Sequence, residues 1–353
     1  MNKKRIVTTI GVVLLITGVI GGIWSGIDAM PKVINNIQVA EEKQNEEEVL
    51  YKGEINLTKL NIDSKVSNVI IKKYNGKEVV VERKGNKNLS TITTKESNNE
   101  LTINEDFKHN KKLAKSIDDI VRYFVNELYT SQYSEMTVYI PENIDLKVNT
   151  NNGGLYINDD LKLNNLNFST SYGHISLSEN TKLKNLNIKS DSGISLQLSE
   201  IYCADNINLE SDSVGIYDNT SKENKSKIPE NVKILINSDY YDHEALTINA
   251  NVPIAKNLEI SSNSTVSLEL PLLDYKFNFD IKTSKGIDFS DEKYEDYLGT
   301  ALEKYFKDDE DENDNGDEEK YKQRAIVGIV NEALKDNPEE YNVNIKSSIV
   351  RFY

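Results

Sequence analysis

The sequence predicts an all-β protein: a single-chain β-solenoid, or β-helix, of about 20-residue rungs with two helical insertions, preceded by one transmembrane helix. Three observations predict it. Four segments of one pattern follow each other from about Asp145 to Asp218, several columns of residue types recur through them in one register, and one long apolar stretch opens the chain.

The four rungs begin Asp145-LKVNTNNGGLYI, Asn165-LNFSTSYGHISL, Asn185-LNIKSDSGISLQL and Asn206-INLESDSVGIYD. Leu146, Leu166, Leu186 and Ile207 recur at steps of 20, 20 and 21, and Thr150, Thr170, Ser190 and Ser211 follow the same steps. Gly153, Gly173, Gly193 and Gly215 step by 20, 20 and 22. Three independent columns in one register are the signature of stacked repeats. Within each rung apolar residues alternate, as in Leu146/Val148 and Leu166/Phe168, which is the period of a strand with one buried face. A group of Ser, Thr, Asn, Asp and Gly follows, suited to a corner, and then a second strand such as Leu155-Tyr156-Ile157. A short third segment (Leu161-Lys162-Leu163, Thr181-Lys182-Leu183) closes the rung. Stacking places equivalent side chains about 4.8 Å apart, so leucines form a continuous core and asparagines and serines form ladders. Each rung adds inward apolar side chains worth roughly 1.5–3 kcal/mol apiece before entropy, so no rung stands alone.

More diverged rungs extend the array over residues 51–353. Upstream are Leu60-NIDSKVSNVII, Glu78-VVVER and Glu100-LTI; downstream are Asn231-VKILINSD, Ala245-LTINA, Asn257-LEISSNSTVSLELP and Phe277-NFDIKTSKGIDF, with Tyr341-NVNIKSSIVRFY as the last. Two segments break the strand pattern. The first, about 109–131, spaces Leu113, Ile117, Ile120, Val121, Phe124, Val125 and Leu128 as an amphipathic helix. The second, about 291–338, holds Tyr294-EDYLGTALEKYF and Tyr321-KQRAIVGIVNEAL at helical spacing around a very acidic run. Covering the solenoid's ends or flank is the expected role of both, with partner binding as the alternative.

The apolar stretch Ile6–Ile27 holds 22 uncharged positions, enough for one helix to cross a bilayer. Residues 6–28 are therefore expected as the transmembrane helix. Lys3, Lys4 and Arg5 precede it, so residues 1–5 are expected in the cytoplasm and the carboxy-terminal domain outside, at the cell membrane. A cleaved signal peptide is the competing reading, against which stand the length of the run, Trp24 and the lack of a small-x-small site. Gly18, Gly22 and Gly26 share one face of this helix, through which the chain could form a homo-oligomer. Residues 29–50 turn acidic and are expected as a stalk.

The formal charge is −15, and the part after the apolar stretch is three units more negative still. Such a surface repels phosphates, so no nucleic acid partner is expected. The one cysteine, Cys203, can form neither an intramolecular disulfide nor a metal cluster, and a buried apolar role is expected.

The opening Leu60-NIDSKVSNVII, Val138-YIPENIDLKVNTNNGGLYI leading into the first rung, the Ser190-DSGISL rung and Val266-SLELP with its KTSKGIDF turn together resemble the putative-adhesin family of bacterial domains of unknown function. The resemblance covers about residues 51–353 apart from the two insertions. It implies a membrane-anchored β-solenoid of the cell envelope, and no catalytic or ligand residues carry over with it.

Candidate chemistry is sparse. Asp311, Asn313, Asn315 and Gly316 fit the first, third, fifth and sixth positions of an EF-hand loop, but Lys322 stands where the bidentate Glu is needed. Asp191 and Asp212 share a turn column with Ser171 and Asn151, which places two carboxylates about 5 Å apart in adjacent rungs, a spacing for a cation or for sugar chemistry; ordinary turn chemistry explains all four and is the favoured reading. His109, His174 and His243 share no metal-ligand spacing. Tyr123, Tyr129, Tyr133, Tyr139, Tyr240 and Tyr241 suit sugar or protein surfaces, or half-buried strand positions. The only Lys or Arg in the four clear rungs are Lys147, Lys162, Lys182, Lys184 and Lys189. No cofactor, no phosphate loop and no nucleophile motif is read. The expectation is a non-catalytic envelope protein that binds a cell-wall polymer or another envelope protein, in adhesion or envelope-stress sensing. A polysaccharide lyase or hydrolase on the same scaffold is the alternative.

Overall fold

The computed structural model describes residues 46–107 (except 66, 77 and 86–89), 134–289 (except 179, 221–227 and 239–243), 325–330 and 339–353, with isolated positions 35, 38 and 42. The expected membrane helix, the insertion at 109–131 and most of the stalk and of the second insertion lie outside these residues. Among the described residues no helix is long and apolar enough to cross a membrane.

The chain enters through β1 (Glu47–Glu54), makes a rung of β2 (Lys59–Ser64) and β3 (Asn68–Lys73), and continues through β4 (Glu78–Lys84), β5 (Ser90–Ser97), β6 (Glu100–Phe107) and β7 (Glu135–Ile140). Four regular rungs follow: β8 (Ile144–Thr150) with β9 (Leu155–Ile157), β10 (Lys162–Thr170) with β11 (Ile175–Leu177), β12 (Thr181–Ser190) with β13 (Ile194–Gln197), and β14 (Ile201–Ser211) with β15 (Val214–Asp218). Next come β16 (Asn231–Ile236) with β17 (Glu244–Ala250) and β18 (Asn257–Ser262) with β19 (Thr265–Glu269). The closing strands are β20 (Lys276–Phe289), β21 (Ala325–Val330) and β22 (Glu340–Phe352).

These strands build two walls. The first runs β5-β6-β2-β8-β10-β12-β14-β16-β18-β22, with β20 and then β21 beyond it. The second runs β1-β4-β7-β3-β9-β11 and, after a break, β13-β15-β17-β19 and the carboxy-terminal part of β22. Within the array the rungs pair in parallel, and the register matches the repeat: Leu146, Leu166, Leu186 and Ile207 are successive partners. Alternation sends those leucines inward, where they are at most 1% exposed, against Val69, Leu155, Val214 and Leu246 from the other wall. The corner column Ser64, Thr150, Thr170, Ser190, Ser211, Ser262 and Ser347 is buried as well. Most of its hydroxyls satisfy corner backbone groups, Ser211 Oγ excepted: Thr150 Oγ1 donates to the Gly153 carbonyl at 2.6 Å, and Thr170 Oγ1 accepts from the Gly173 amide at 2.7 Å. A Cβ on Gly153 would lie 2.2 Å from the Ser67 carbonyl oxygen, and one on Gly173 would lie 2.1 Å from that of Gly153. These two corners therefore stack backbone on backbone, which accounts for Gly153 and Gly173, whereas Gly193 is held at φ +148° and Gly215 lies within β15 beneath the Tyr217 ring.

The expected array is present, with four differences. Glu78-VVVER is a strand but not a rung, since β4 lies antiparallel between β1 and β7. Together with β5, antiparallel on β6, these strands close the amino-terminal end with polar, charged edges, as sheet ends require. The stalk expected to reach residue 50 already pairs as β1 from Glu47. The third segments do not stand alone: Leu161–Leu163 and Thr181–Leu183 run into the next rung, with a register shift between Leu163 and Asn165 and between Leu183 and Asn185. In the second insertion, the Ala325–Val330 part of the expected helix is strand β21, antiparallel on β20. Ile326, Val327, Ile329 and Val330 are β-branched and Gly328 interrupts a helix, so a waiting sheet edge outweighs helical spacing.

Rung order also departs from chain order at both ends. β2/β3 come first in sequence but lie inside β6/β7. β22 comes last but lies between β18/β19 and β20. Around it the interior is aromatic: Phe277 stacks on Phe279 at 5.8 Å, Phe289 on Phe352 at 5.6 Å, and Tyr275 meets Tyr341 edge-on at 5.8 Å.

Candidate functional site

The outward face of the first wall carries the most regular chemistry in the molecule. An amide ladder runs along it: Asn278 donates to Asn342, Asn342 to Asn257, Asn257 to Asn231, Asn231 to Asn206, Asn206 to Asn185, Asn185 to Asn165, and Asn165 to Asp145, at 2.6–3.2 Å. Every amide points the same way, and a carboxylate closes the row. Beyond Asp145 the column continues with Lys59, whose Nζ lies 3.5 Å from Glu100. A second column, two residues along each strand, links Asn208 to Asn187 and Asn187 to Asn167 at 2.7 and 2.8 Å. An amide inside a column, such as Asn185 or Asn187, spends one donor and one acceptor on the ladder and keeps one of each for a ligand.

Beside this second column lies a groove of about 290 Å³ across β10, β12, β14 and β16. Asn167, Asn187, Asn208 and Lys233 form one side; Ser169, Lys189, Glu210 and Leu235 form the other. Lys189 Nζ donates to Glu210 at 2.6 Å, and this bond, helped by the Glu210 and Asp191 charges, holds the Lys189 ammonium above its usual pKa. Lys233 likewise pairs with Glu259 at 3.0 Å. The groove is thus rimmed by amides and paired charges over a floor that includes Phe168, Ile188 and Leu209, with Leu235 as an exposed apolar element.

Asp191 and Asp212 stand in adjacent corners, one residue after the partners Ser190 and Ser211, and both are exposed. The shared column is therefore present. Among the described residues no group of three His, Cys, Asp or Glu side chains is placed to hold a metal. Asp311, Asn313 and Asn315 lie outside the described residues, as do His109, His243, Tyr123, Tyr129, Tyr133, Tyr240 and Tyr241. Cys203 is buried, and burial raises its thiol pKa to about 11.

The described tyrosines belong largely to the strands. Tyr156 lies over Gly154 and Tyr217 over Gly215, two residues away on the same face, where a Cβ would be 3.0 Å from the ring in each case. Tyr156 also meets His174 edge-on at 4.9 Å, and Lys72 Nζ lies 5.6 Å from the Tyr139 ring centre. Tyr172, at a corner, is 73% exposed.

One polar cluster escapes the repeat reading. Glu105, on an inward position of β6 and 1% exposed, accepts hydrogen bonds from Ser64 Oγ, the Ser67 amide, Ser67 Oγ and Ser90 Oγ at 2.7–2.9 Å. Arg83 lies nearby and donates to the Ser90 carbonyl at 3.3 Å; burial lowers its pKa against the opposing pull of Glu105. Ser67 Oγ also meets Ser134 Oγ at 2.9 Å, so the cluster ties β2, β5, β6 and the entry to β7 together. Its sequence signal was a lone Glu on an apolar phase.

A two-walled parallel solenoid with antiparallel ends and amide-laddered flanks defines the class of protein. Residues 57–316, more than half of the chain, match the family model Toastrack DUF4097, and the chain belongs to that family, a domain of unknown function. Among solved structures, a putative adhesin from Bacteroides fragilis is similar at 7% identity and a TM-score of 0.35, covering 88% of this chain and 99% of its own. A putative cell adhesion protein from Clostridium sporogenes is similar at 12% identity and a TM-score of 0.20, covering 87% and 96%. No curated protein matches the chain.

Proposed function

We propose that the protein is a non-catalytic, adhesion-type binding protein of the cell envelope, anchored by residues 6–28 and presenting the first wall to a cell-wall polymer or another envelope protein. The groove beside the second amide column carries this reading. Its donors and acceptors repeat about every 4.8 Å along the solenoid, which suits a ligand that is itself extended and repetitive. Its two lysines are already neutralised by Glu210 and Glu259, so it holds a ligand by hydrogen bonding rather than by a reactive group. The anchor reading rests on 22 uncharged positions behind three cations. Sensing of envelope stress would use the same wall, with occupancy as the signal.

The test is in-cell photo-crosslinking from the full chain, with the photoreactive residue at Ser169 in the groove or at Ser195 on the second wall. Adducts from Ser169 that are absent from Ser195 support the proposal. Equal adducts from both positions, or depolymerisation of an envelope glycan by the purified protein, would sink it.

A further inference from the structure

The five lysines of the four clear rungs all come to the outward side of the first wall. Lys147 on β8, Lys162 on β10 and Lys182, Lys184 and Lys189 on β12 are exposed, on three neighbouring strands. Only Lys189 has an ion-pair partner among the described residues, leaving Lys147, Lys162, Lys182 and Lys184 uncompensated on a chain whose formal charge is −15. Three acids of the same rungs accept hydrogen bonds from other groups. Asp159 accepts from the Lys73 amide at 2.7 Å, Asp160 from Ser178 at 3.3 Å, and Asp145 from Asn165 at 2.6 Å. On the carboxy-terminal side, β14 bounds the field with Asp205 and Glu210.

The register makes this field costly. Lys162 and Lys182 are direct partners on adjacent parallel strands, about 4.8 Å apart, and like charges so placed repel. Lys147 partners Asn167, five residues along β10 from Lys162, so the field stretches about 16 Å along the strands and across three rungs. Between its ends stand Asn165, Asn167, Asn185 and Asn187, each with a spare amide donor. A wide, shallow surface of fixed cations and neutral donors fits neither a small anion nor a single carboxylate.

We infer that this lysine field is a docking surface for a linear polyanion, a polymer bearing carboxylate or phosphodiester groups at short intervals. The inference rests on the reading of the first wall as the binding surface and adds the charge class of the ligand. Binding relieves the Lys162–Lys182 repulsion and releases counterions, so affinity falls with salt.

The test uses the full chain in a neutral detergent with three probes: polygalacturonate, lipid-free poly(glycerol phosphate) and uncharged dextran. The unaltered protein is expected to bind at least one polyanion at about 50 mM salt and to lose about 10-fold in affinity by about 300 mM. The preferred polyanion tells carboxylate from phosphodiester. The triple variant Lys162→Gln, Lys182→Gln, Lys184→Gln should weaken binding about 10-fold or more while its melting temperature stays equal or rises slightly, since the Lys162–Lys182 repulsion is gone. The equal-charge control Lys95→Gln, Lys256→Gln, Lys282→Gln should change it less than about 2-fold. Equal losses in the two triples, or no binding of either polyanion, would overturn the inference. Dextran binding that is indifferent to the lysines would overturn it too, while leaving the first wall as a binding surface.

Discussion

The same rungs build both walls, yet one wall is continuous and the other is split. The first wall pairs without interruption from β5 to β20, whereas the second parts between β11 and β13, which do not hydrogen-bond to each other. The split falls where the corner changes. Rungs ahead of it put four residues between the corner hydroxyl and the partner residues Val69, Leu155 and Ile175 of the second wall, with Ser67, Gly153 and Gly173 stacked backbone to backbone. The next corner is Asp191-Ser192-Gly193, one residue shorter and with Gly193 at φ +148°, so β13 starts out of step with β11. A further shortening, to Asp212-Ser213, leaves the pairing intact because the Ile194 amide reaches the Ser213 carbonyl at 2.9 Å. The break in the ladder thus coincides with the first change of corner and with no later one. Side chains record the difference: Leu155 and Ile157 of β9 are fully buried, while Ile175 and Leu177 of β11 are only half-buried.

The largest test of this contrast places a charge on each wall. Leu186→Asp, at 0% exposure in the middle of the continuous wall, should cost about 4 kcal/mol or more and abolish the cooperative melt seen by circular dichroism. Ile175→Asp at the split should cost less than half as much, and equal effects would show that the split is closed in solution. Next in size is Gly173→Ala. Its Cβ would meet the Gly153 carbonyl, so urea unfolding should show a loss of about 2–3 kcal/mol, against less than about 1 kcal/mol for Ser192→Ala in the shorter corner. Asn185→Ala, in the middle of the amide ladder, removes two part-buried hydrogen bonds and should cost about 1 kcal/mol; a loss as large as that of Leu186→Asp would make the ladder, rather than the core, the main support of this wall.

The smallest effect concerns alkaline pH. The Cys203 thiol titrates at about 11 in the folded chain and at about 9 when exposed, so the fold favours the protonated form. Stability from this preference is complete below pH 9 and declines as pH rises toward 11, because the unfolded thiol ionises first. Cys203→Ala should therefore show a shallower fall in melting temperature over that window than the unaltered chain; parallel slopes would assign the whole decline to tyrosines such as Tyr51, whose pKa is raised to about 12 by burial and by its hydrogen bond to Glu96.

Much of this was legible in the sequence because the repeat is a column statement, and columns survive folding. The step of 20 residues gave the register of β8, β10, β12 and β14, the inward leucines, the asparagine ladder and the glycine stack. Even the corner change is visible, as the residue missing between Ser190 and Ile194 relative to Thr170 and Ile175. What was not legible is order in space. Alternation identifies a strand but not its neighbour, so β4 read as a rung and β22 as the last one. β21 was missed because its apolar residues satisfy both periods, and only the open edge of β20 chooses between them. The groove and the lysine field follow from columns once the outward side is known; the Glu105 cluster does not, since its serines come from three separate segments.

The position of β22 has a consequence for how the molecule comes into being. A chain made from its amino end presents Lys276–Phe289 before the strand that belongs inside it has been synthesised. At that moment Asn278 and Asn257 offer one another the same amide partners that Asn342 will later supply to both. The thirteen residues Glu340–Phe352 must therefore enter between two layers already able to close. Completion of the array is postponed until Glu340–Phe352 has been made, and a product cut short before Glu340 would keep an open strand edge of the kind that pairs with other chains.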